Sequence, residues 1–166
     1  NRIHTALERF SRENEKRDAV SLLYFSGHGV QFRDRNWALG VDATPEVIED
    51  KSVDIQAFLS KLKRSGATTI VILDACREYV SSGSETRGLA PLDAPPGTLL
   101  AFSTAPGRFA SDGNSNDRNG VYTKHLLRHL SSPGVSIESS FKKVRIDVIS
   151  ETNGAQIPWE NSSLTR

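Results

Sequence analysis

The sequence predicts an α/β fold in which a mostly parallel β-sheet is flanked by helices on both faces. Three apolar runs, "AVSLLYFSG", "TTIVILDAC" and "GTLLAFSTA", have the unbroken hydrophobicity that is typical of strands buried on both faces. A helical pattern separates the first run from the second, and two more follow the third. Because a strand, a helix and another strand in succession form a crossover unit, the first two strands are predicted to be parallel.

Four segments have the apolar spacing of amphipathic helices. Near the start of the chain, Ile3, Leu7 and Phe10 share one face of an otherwise polar segment. In "VDIQAFLSKLKRSG" the apolar residues again recur at helical spacing, and Asp54 is placed to cap the N-terminus. The other two segments are "NGVYTKHLLRHLSSPG" and "SIESSFKKVRIDVISETNG". The order β-α-β-β-α-α after the first helix favours one sheet with helices on its faces.

The domain organisation predicted from the sequence is simple. A length of 166 residues fits a single domain over residues 1–166. Two segments rich in Ser, Gly and Pro, 77–97 and 105–119, have no period and are predicted to be long loops. Loops of that length in a compact domain often carry function.

Composition excludes several classes of protein. Lys and Arg number 21 against 20 Asp and Glu, so no field of one sign attracts nucleic acid. The apolar runs are too short to span a bilayer, which argues against a membrane protein. One cysteine excludes an intrachain disulfide, and no signal-peptide pattern is present, so the expected location is cytoplasmic.

Polar residues follow the apolar part of two predicted strands, Ser26-Gly27-His28-Gly29 and Asp74-Ala75-Cys76. Ligand sites of open α/β sheets lie beyond the carboxyl ends of the strands, so these groups are expected at one edge. A lone cysteine is more often a small buried hydrophobe, and a histidine in a loop is often only hydrogen-bonded to backbone. Beside an imidazole, however, a cysteine becomes a nucleophilic thiolate, which predicts a His28-Cys76 dyad.

The glycine before the histidine suggests a further role for the backbone. Gly27 lacks a side chain that would shield its N–H from a reacting carbonyl. Together with the N–H of Cys76, it is predicted to form an oxyanion hole.

A second pair of histidines has the spacing of metal ligands. His125 and His129 lie four residues apart on one predicted helix. The sequence around them provides neither a third ligand nor a general-base Glu, so no metal site is predicted there.

These motifs resemble those of the caspase-like cysteine peptidases, peptidase family C14, which include caspases, metacaspases, paracaspases and bacterial orthocaspases. "YFSGHG" is similar to the histidine motif of the family and "ILDACRE" to its cysteine motif. His28 and Cys76 are 48 residues apart, close to the interval of about 50 known for caspases. Further similarity to bacterial members extends through "GTLLAFSTAPGRFASDG", "NGVYTKHLLRHL" and "QIPWENSSL".

The resemblance implies a caspase-haemoglobinase-like fold and a cysteine endopeptidase that needs no cofactor. Asp74 stands where caspases have Gln, as in metacaspases and paracaspases, whose acid at that place selects Arg or Lys before the scissile bond. The substrates implied are therefore proteins or peptides cut after Arg or Lys. Asp112 is similar to a second pocket acid, although an Asp-Gly turn is an equally good interpretation, and Ser26 to a pocket-side serine.

The resemblance also bears on self-cleavage, calcium activation and the completeness of the sheet. The loop after the cysteine strand is often cut during activation, which implies self-cleavage after Arg87. Calcium activation is not supported, because the acidic segment "PEVIEDKSVD" lacks the spacing of the known sites. The family has an additional strand-helix-strand before the region matched here, so a partner chain or a missing segment is expected to complete the sheet. The alternative function is a catalytically silent caspase-like module that regulates other proteins.

Overall fold

A computed structural model describes residues 2–13, 20–33, 35–62, 68–79, 92–106 and 108–165, with only the backbone of 76–79. A single six-stranded sheet forms the centre of this part of the chain, in the order β3-β2-β1-β4-β5-β6. The strands are β1 (Val20–Phe32), β2 (Arg35–Ala38), β3 (Val53–Asp54), β4 (Thr68–Tyr79), β5 (Thr98–Phe102) and β6 (Trp159–Ser162). The longer helices are α1 (Arg2–Glu13), α3 (Ile55–Leu62), α4 (Val121–Leu130) and α5 (Ile137–Glu151), with a short α2 at Ile48–Lys51 after a 3-10 turn at Pro45–Val47.

The three strands predicted from the apolar runs form the parallel centre of the sheet. β1 pairs with β4 in parallel, as predicted from the intervening helix. β4 also pairs in parallel with β5, although no helix was predicted between these two strands. β2, β3 and β6 pair antiparallel at the two sides of the sheet. The chain therefore has the α/β fold with flanking helices that the sequence predicts, extended by three short strands that it does not.

Helices cover both faces of the central strands with separate hydrophobic cores. Alternate strand residues such as Val71, Leu73 and Leu100 face α1 and α3. The intervening residues, among them Ile72 and Leu99, face α4 and α5. Since successive side chains of a strand point to opposite faces, one continuous apolar run contributes to both cores. On β1, however, Val20 is 70% exposed and Leu22 52% exposed, so this strand is not buried on both faces as its apolar run predicts.

Side-chain hydrogen bonds cap two helices, and the sequence predicted the first of these caps. The carboxylate of Asp54 accepts a hydrogen bond from the N–H of Ala57 at 3.0 Å, which caps α3. The Ser136 hydroxyl oxygen accepts one from the N–H of Ser139 at 3.3 Å at the start of α5. No helix among the described residues is both long and apolar enough to cross a membrane.

Two strands extend beyond their predicted ends. The motif residues His28 and Cys76 therefore lie within strands and not just after them, as was predicted. β1 continues through Gly29 to Phe32 because its last four residues pair with β2 in a hairpin. β4 continues to Tyr79, so the first three residues of the segment 77–97, predicted as a loop, are strand, and residues 80–91 of that segment lie outside the described residues. At the other end of that loop Leu92 is buried in the core on the α1 and α3 side. By contrast, the described residues from 105 to 119 form neither helix nor strand.

Candidate active site

The parallel ladder between β1 and β4 brings the two sequence motifs together. Its register pairs Ser26 with Asp74, Gly27 with Ala75, and His28 with Cys76. Neighbouring strands lie about 4.8 Å apart, and residues in register on parallel strands lie on the same face. His28 and Cys76 are therefore adjacent across the ladder. Ser26 and Asp74 lie on the same face, two residues earlier on each strand.

The surroundings of this pair differ from a simple strand end. β5 stops at Phe102, which pairs with Leu73, whereas β1 and β4 continue past it. His28 lies in this protruding part of β1 and is exposed. Its carbonyl accepts a hydrogen bond from the N–H of Leu39 at 2.9 Å, which fixes the backbone beside the hairpin. The imidazole is thus carried on a regular strand and remains open to a substrate.

Gly27 has a packing reason to be glycine. Its φ of 159° is that of extended backbone. A Cβ at this position would lie 3.0 Å from Cζ of Phe25, whose ring covers the strand there. A side chain at Gly27 would therefore crowd the ring of Phe25, and the oxyanion role of the Gly27 N–H stays a prediction.

Asp74 is half-buried and is held by two hydroxyl groups. Thr123, near the start of α4, donates a hydrogen bond to Oδ2 of Asp74 at 2.5 Å. The Tyr24 hydroxyl lies 2.7 Å from the Thr123 oxygen and 3.5 Å from the same carboxylate oxygen. Since Thr123 uses its only proton toward Asp74, Tyr24 donates to Thr123. The three groups form a short chain of hydrogen bonds that ends on the carboxylate.

Burial and charge make the Asp74 carboxylate receptive to a cation. Burial raises the pKa of Asp74, hydrogen bonds led by that of Thr123 oppose the rise, and the negative charge of Asp112 adds to it. The Ser103 hydroxyl lies near Asp74, but it is buried and makes no hydrogen bond to a described residue, so Thr123 is the direct donor to the carboxylate and Tyr24 acts through Thr123. A guanidinium or ammonium group nearby would favour the ionised form of the carboxylate.

Asp112 approaches Asp74 from the loop between β5 and α4. It is exposed, and its charge acts on Asp74. The next residue, Gly113, has a φ of 83°, which fits the predicted turn. The turn is present and the charge of Asp112 adds to the raised pKa of Asp74, so the two interpretations of Asp112 do not exclude each other.

A buried glutamine holds this loop against the sheet. Gln156 accepts a hydrogen bond from the N–H of Ser111 at 2.9 Å and donates one to the carbonyl of Ser103 at 2.8 Å. The carbonyl of Ser111 in turn accepts from the N–H of Val121 at 3.0 Å. Gln156 therefore links the end of β5, the loop that carries Asp112 and the start of α4.

A cavity of about 580 Å³ lies behind the same loop, between Phe109, Asn114 and Thr152. Neither His28 nor Asp74 lines it. The candidate site therefore lies at the β1 and β4 ladder beside Asp74 and not in this cavity.

The sequence did not point to three residues of the site. Tyr24 could have been found, because it lies two residues before Ser26 on the same face of β1. Thr123 and Gln156 could not, because their contacts with Asp74 and Ser103 span 49 and 53 residues and depend on the packing of other elements. Arg87 lies outside the described residues, as does the side chain of Cys76.

The parallel sheet, its covering helices and the His28 and Cys76 ladder define a caspase-like α/β class. The sequence model of the caspase domain matches residues 1–166, so the chain belongs to the caspase-domain family of cysteine peptidases, family C14. A comparison with curated proteins gave no significant match.

Proposed function

We propose that the protein is a cysteine endopeptidase that hydrolyses peptide bonds after Arg and, less efficiently, after Lys. The observation that carries this proposal is the register of β1 and β4, which makes His28 and Cys76 neighbours on one face of the sheet. Membership of the caspase-domain family supports the same chemistry.

In the proposed mechanism His28 removes the thiol proton of Cys76, and the thiolate attacks the carbonyl carbon of the scissile bond. The N–H groups of Gly27 and Cys76 stabilise the negative oxygen of the tetrahedral intermediate. The imidazolium of His28 then protonates the leaving amine, which breaks the peptide bond and leaves an acyl-enzyme. Water, deprotonated by His28, hydrolyses the thioester. This reaction uses no metal or cofactor.

The proposed specificity rests on the environment of Asp74. Its carboxylate is half-buried, its pKa is raised first by burial, and the charge of Asp112 is close enough to act on it. A bound Arg side chain would pair with Asp74 and offset the repulsion between the two acids, with Ser26 forming part of the pocket wall. An Asp side chain at the same place would add a third negative charge and leave the first two unpaired, so Asp-specific cleavage is disfavoured.

Replacement of the nucleophile tests the activity directly. Cys76→Ala is expected to lower the turnover of an Arg-ending fluorogenic peptide by about 10³-fold or more, because no other group supplies the covalent step. His28→Ala should produce a loss of similar order. Circular dichroism of both variants controls for folding, and His4→Ala, which changes a histidine on α1, is the matched control. Turnover that survives Cys76→Ala in a folded chain would contradict the proposed function.

We also propose that the protein cleaves itself after Arg87. This residue is followed by Gly88 in a Ser- and Gly-rich segment, and an Arg in such a segment fits the proposed specificity. Intact-mass analysis should find two fragments that meet after Arg87 in the active protein. Cys76→Ala and Arg87→Gln should each give one uncut mass. An uncut active protein, or the same cut in the Cys76→Ala chain, would argue against self-processing.

A further inference from the structure

Two helices on one side of the sheet bring four ligand-type side chains together, away from His28 and Cys76. α4 carries His125 and His129 four residues apart, and α5 carries Asp147 and Glu151 at the same interval. Residues four apart lie on one face of a helix. The two histidines of α4 therefore meet the two acids of α5. Asp147 supplies the third ligand that the sequence around the histidines lacks.

The distances in this cluster are those of a small coordination site. The atoms offered by His125, His129 and Asp147 all lie within 4.8 Å of one another. Nε2 of His129 is 2.7 Å from Oδ2 of Asp147, and Nδ1 of His125 is 3.5 Å from the same oxygen. Two ligands of a tetrahedral ion that binds each at about 2.0 Å are about 3.3 Å apart, so small shifts would suffice.

Glu151 fixes the ring of His125 from the opposite side. Nε2 of His125 lies 2.7 Å from Oε2 of Glu151, while Oε1 of Glu151 is taken by the ammonium group of Lys124. Metal-binding histidines commonly give their second ring N–H to a carboxylate in this way, which fixes the tautomer. With the proton on Nε2, Nδ1 carries a free lone pair, and it lies 3.5 Å from Oδ2 of Asp147.

Nδ1 of His125 is the strongest evidence for a ligand. The residue is only 8% exposed, and Nδ1 is a buried atom with no hydrogen-bond partner among the described residues. In this tautomer Nδ1 and the nearest oxygen of Asp147 are both acceptors, so their approach at 3.5 Å is unfavourable without a cation or a proton between them. The guanidinium of Arg128 also lies near that carboxylate, 3.7 Å from Oδ2 of Asp147.

We propose that His125, His129 and Asp147 bind a zinc ion, with Glu151 orienting His125. Imidazole nitrogen and carboxylate oxygen in one small site suit Zn²⁺, whereas Ca²⁺ and Mg²⁺ prefer six or more oxygen ligands. The ion would join α4 to α5. Because Thr123, which holds Asp74, lies two residues before His125 on α4, the ion would also stiffen one wall of the candidate active site.

Zinc titration of the whole chain tests this proposal. The experiments use the Cys76→Ala, His28→Ala form, so that the candidate catalytic pair cannot bind the metal. Competition with a chromophoric chelator should show one zinc per chain and no binding of Ca²⁺ or Mg²⁺. Substituted Co²⁺ should give the visible absorption of a site with nitrogen and oxygen ligands, and zinc should raise the melting temperature.

Variants separate ligands from their neighbours. His129→Gln and Asp147→Asn should each abolish zinc binding, and Glu151→Gln should weaken it by about 10- to 100-fold, as changes to an outer partner do. His4→Gln, on α1, should leave binding unchanged. Absence of zinc binding, or binding that persists at full strength in His129→Gln and Asp147→Asn, would overturn the proposal. Circular dichroism shows that each variant is folded.

Discussion

Asp74 is the residue whose surroundings determine the proposed specificity. Its carboxylate is half-buried, and burial raises its pKa while the hydrogen bond from Thr123 opposes the rise. Thr123 thus favours the ionised form that a substrate guanidinium requires. This makes Thr123 a positioning residue, because it acts through Asp74 and is not proposed to touch the reacting atoms.

The pH dependence of peptide binding tests this role of Thr123. As the pH falls, Asp74 takes up a proton at a higher pH than the value of about 3.9 for an ordinary aspartate, and the neutral acid no longer attracts Arg. Affinity of the Cys76→Ala chain for an Arg-ending peptide should therefore fall on the acid side. Thr123→Val removes a hydrogen bond that lowers the pKa, so this fall should move to higher pH while affinity at neutral pH changes little.

Tyr24→Phe is the matched control for this measurement. Its hydroxyl is 3.5 Å from the Asp74 oxygen, against 2.5 Å for Thr123, so the shift should be smaller. An acid-side decline that stays in place in Thr123→Val would exclude the proposed coupling to Asp74.

Candidate site residues could be predicted where the pattern of neighbouring residues in the sequence marks them. His28 and Cys76 each follow an apolar strand pattern, and parallel pairing of the two strands is sufficient to bring them to one edge. Thr123 has no such signal, because its contact with Asp74 depends on how α4 packs on the sheet. The same limit applies to Asp147, which meets His125 and His129 only across the contact between two helices.

At the scale of elements, the loop that carries Asp112 depends on Gln156. This side chain is 1% exposed and bridges the Ser111 N–H and the Ser103 carbonyl. Ser103 is itself fully buried, so its carbonyl has no access to water if Gln156 is lost. A buried polar group without a partner costs about 1–3 kcal/mol.

Gln156→Leu is therefore expected to lower the free energy of unfolding by about 2 kcal/mol, since it orphans a buried carbonyl. Urea unfolding measures this loss. The KM for an Arg-ending peptide should also rise, because the loop that holds Asp112 loses its link to the sheet. Gln31→Leu, the same change near the end of β1, is the control and should leave both quantities nearly unchanged. A similar loss in both variants would remove the special role of Gln156.

Strand ends were predicted less well than strand cores. β1 was expected to stop near Gly27, yet it continues to Phe32 because the hairpin with β2 supplies partners for its backbone. Glycine is normally a sign of a strand end, but here the ring of Phe25 occupies the space beside Gly27. Tertiary pairing overrides the local signal in this case.

For the whole molecule, the central topology followed from the sequence and the edges of the sheet did not. The buried strands β4 and β5 are continuous apolar runs, which is the signature of a parallel sheet covered on both faces. β2, with sequence RNWA, and β6, with sequence WENS, are four residues each and carry mostly polar side chains. They are strands because a longer neighbour offers an unpaired edge, and a single sequence does not reveal that.

The preference for basic residues proposed for this caspase-domain chain depends on Asp74. Hydrolysis of three fluorogenic peptides that differ only in Arg, Lys or Asp before the scissile bond tests it directly. We expect the highest kcat/KM for Arg, a lower value for Lys and no hydrolysis of the Asp peptide. We also expect a loss of about 10²-fold for Arg in Asp74→Asn, since removing one partner of a buried charge pair costs about 2–5 kcal/mol. Faster cleavage of the Asp peptide, or an Arg preference unchanged in Asp74→Asn, would contradict the proposed specificity.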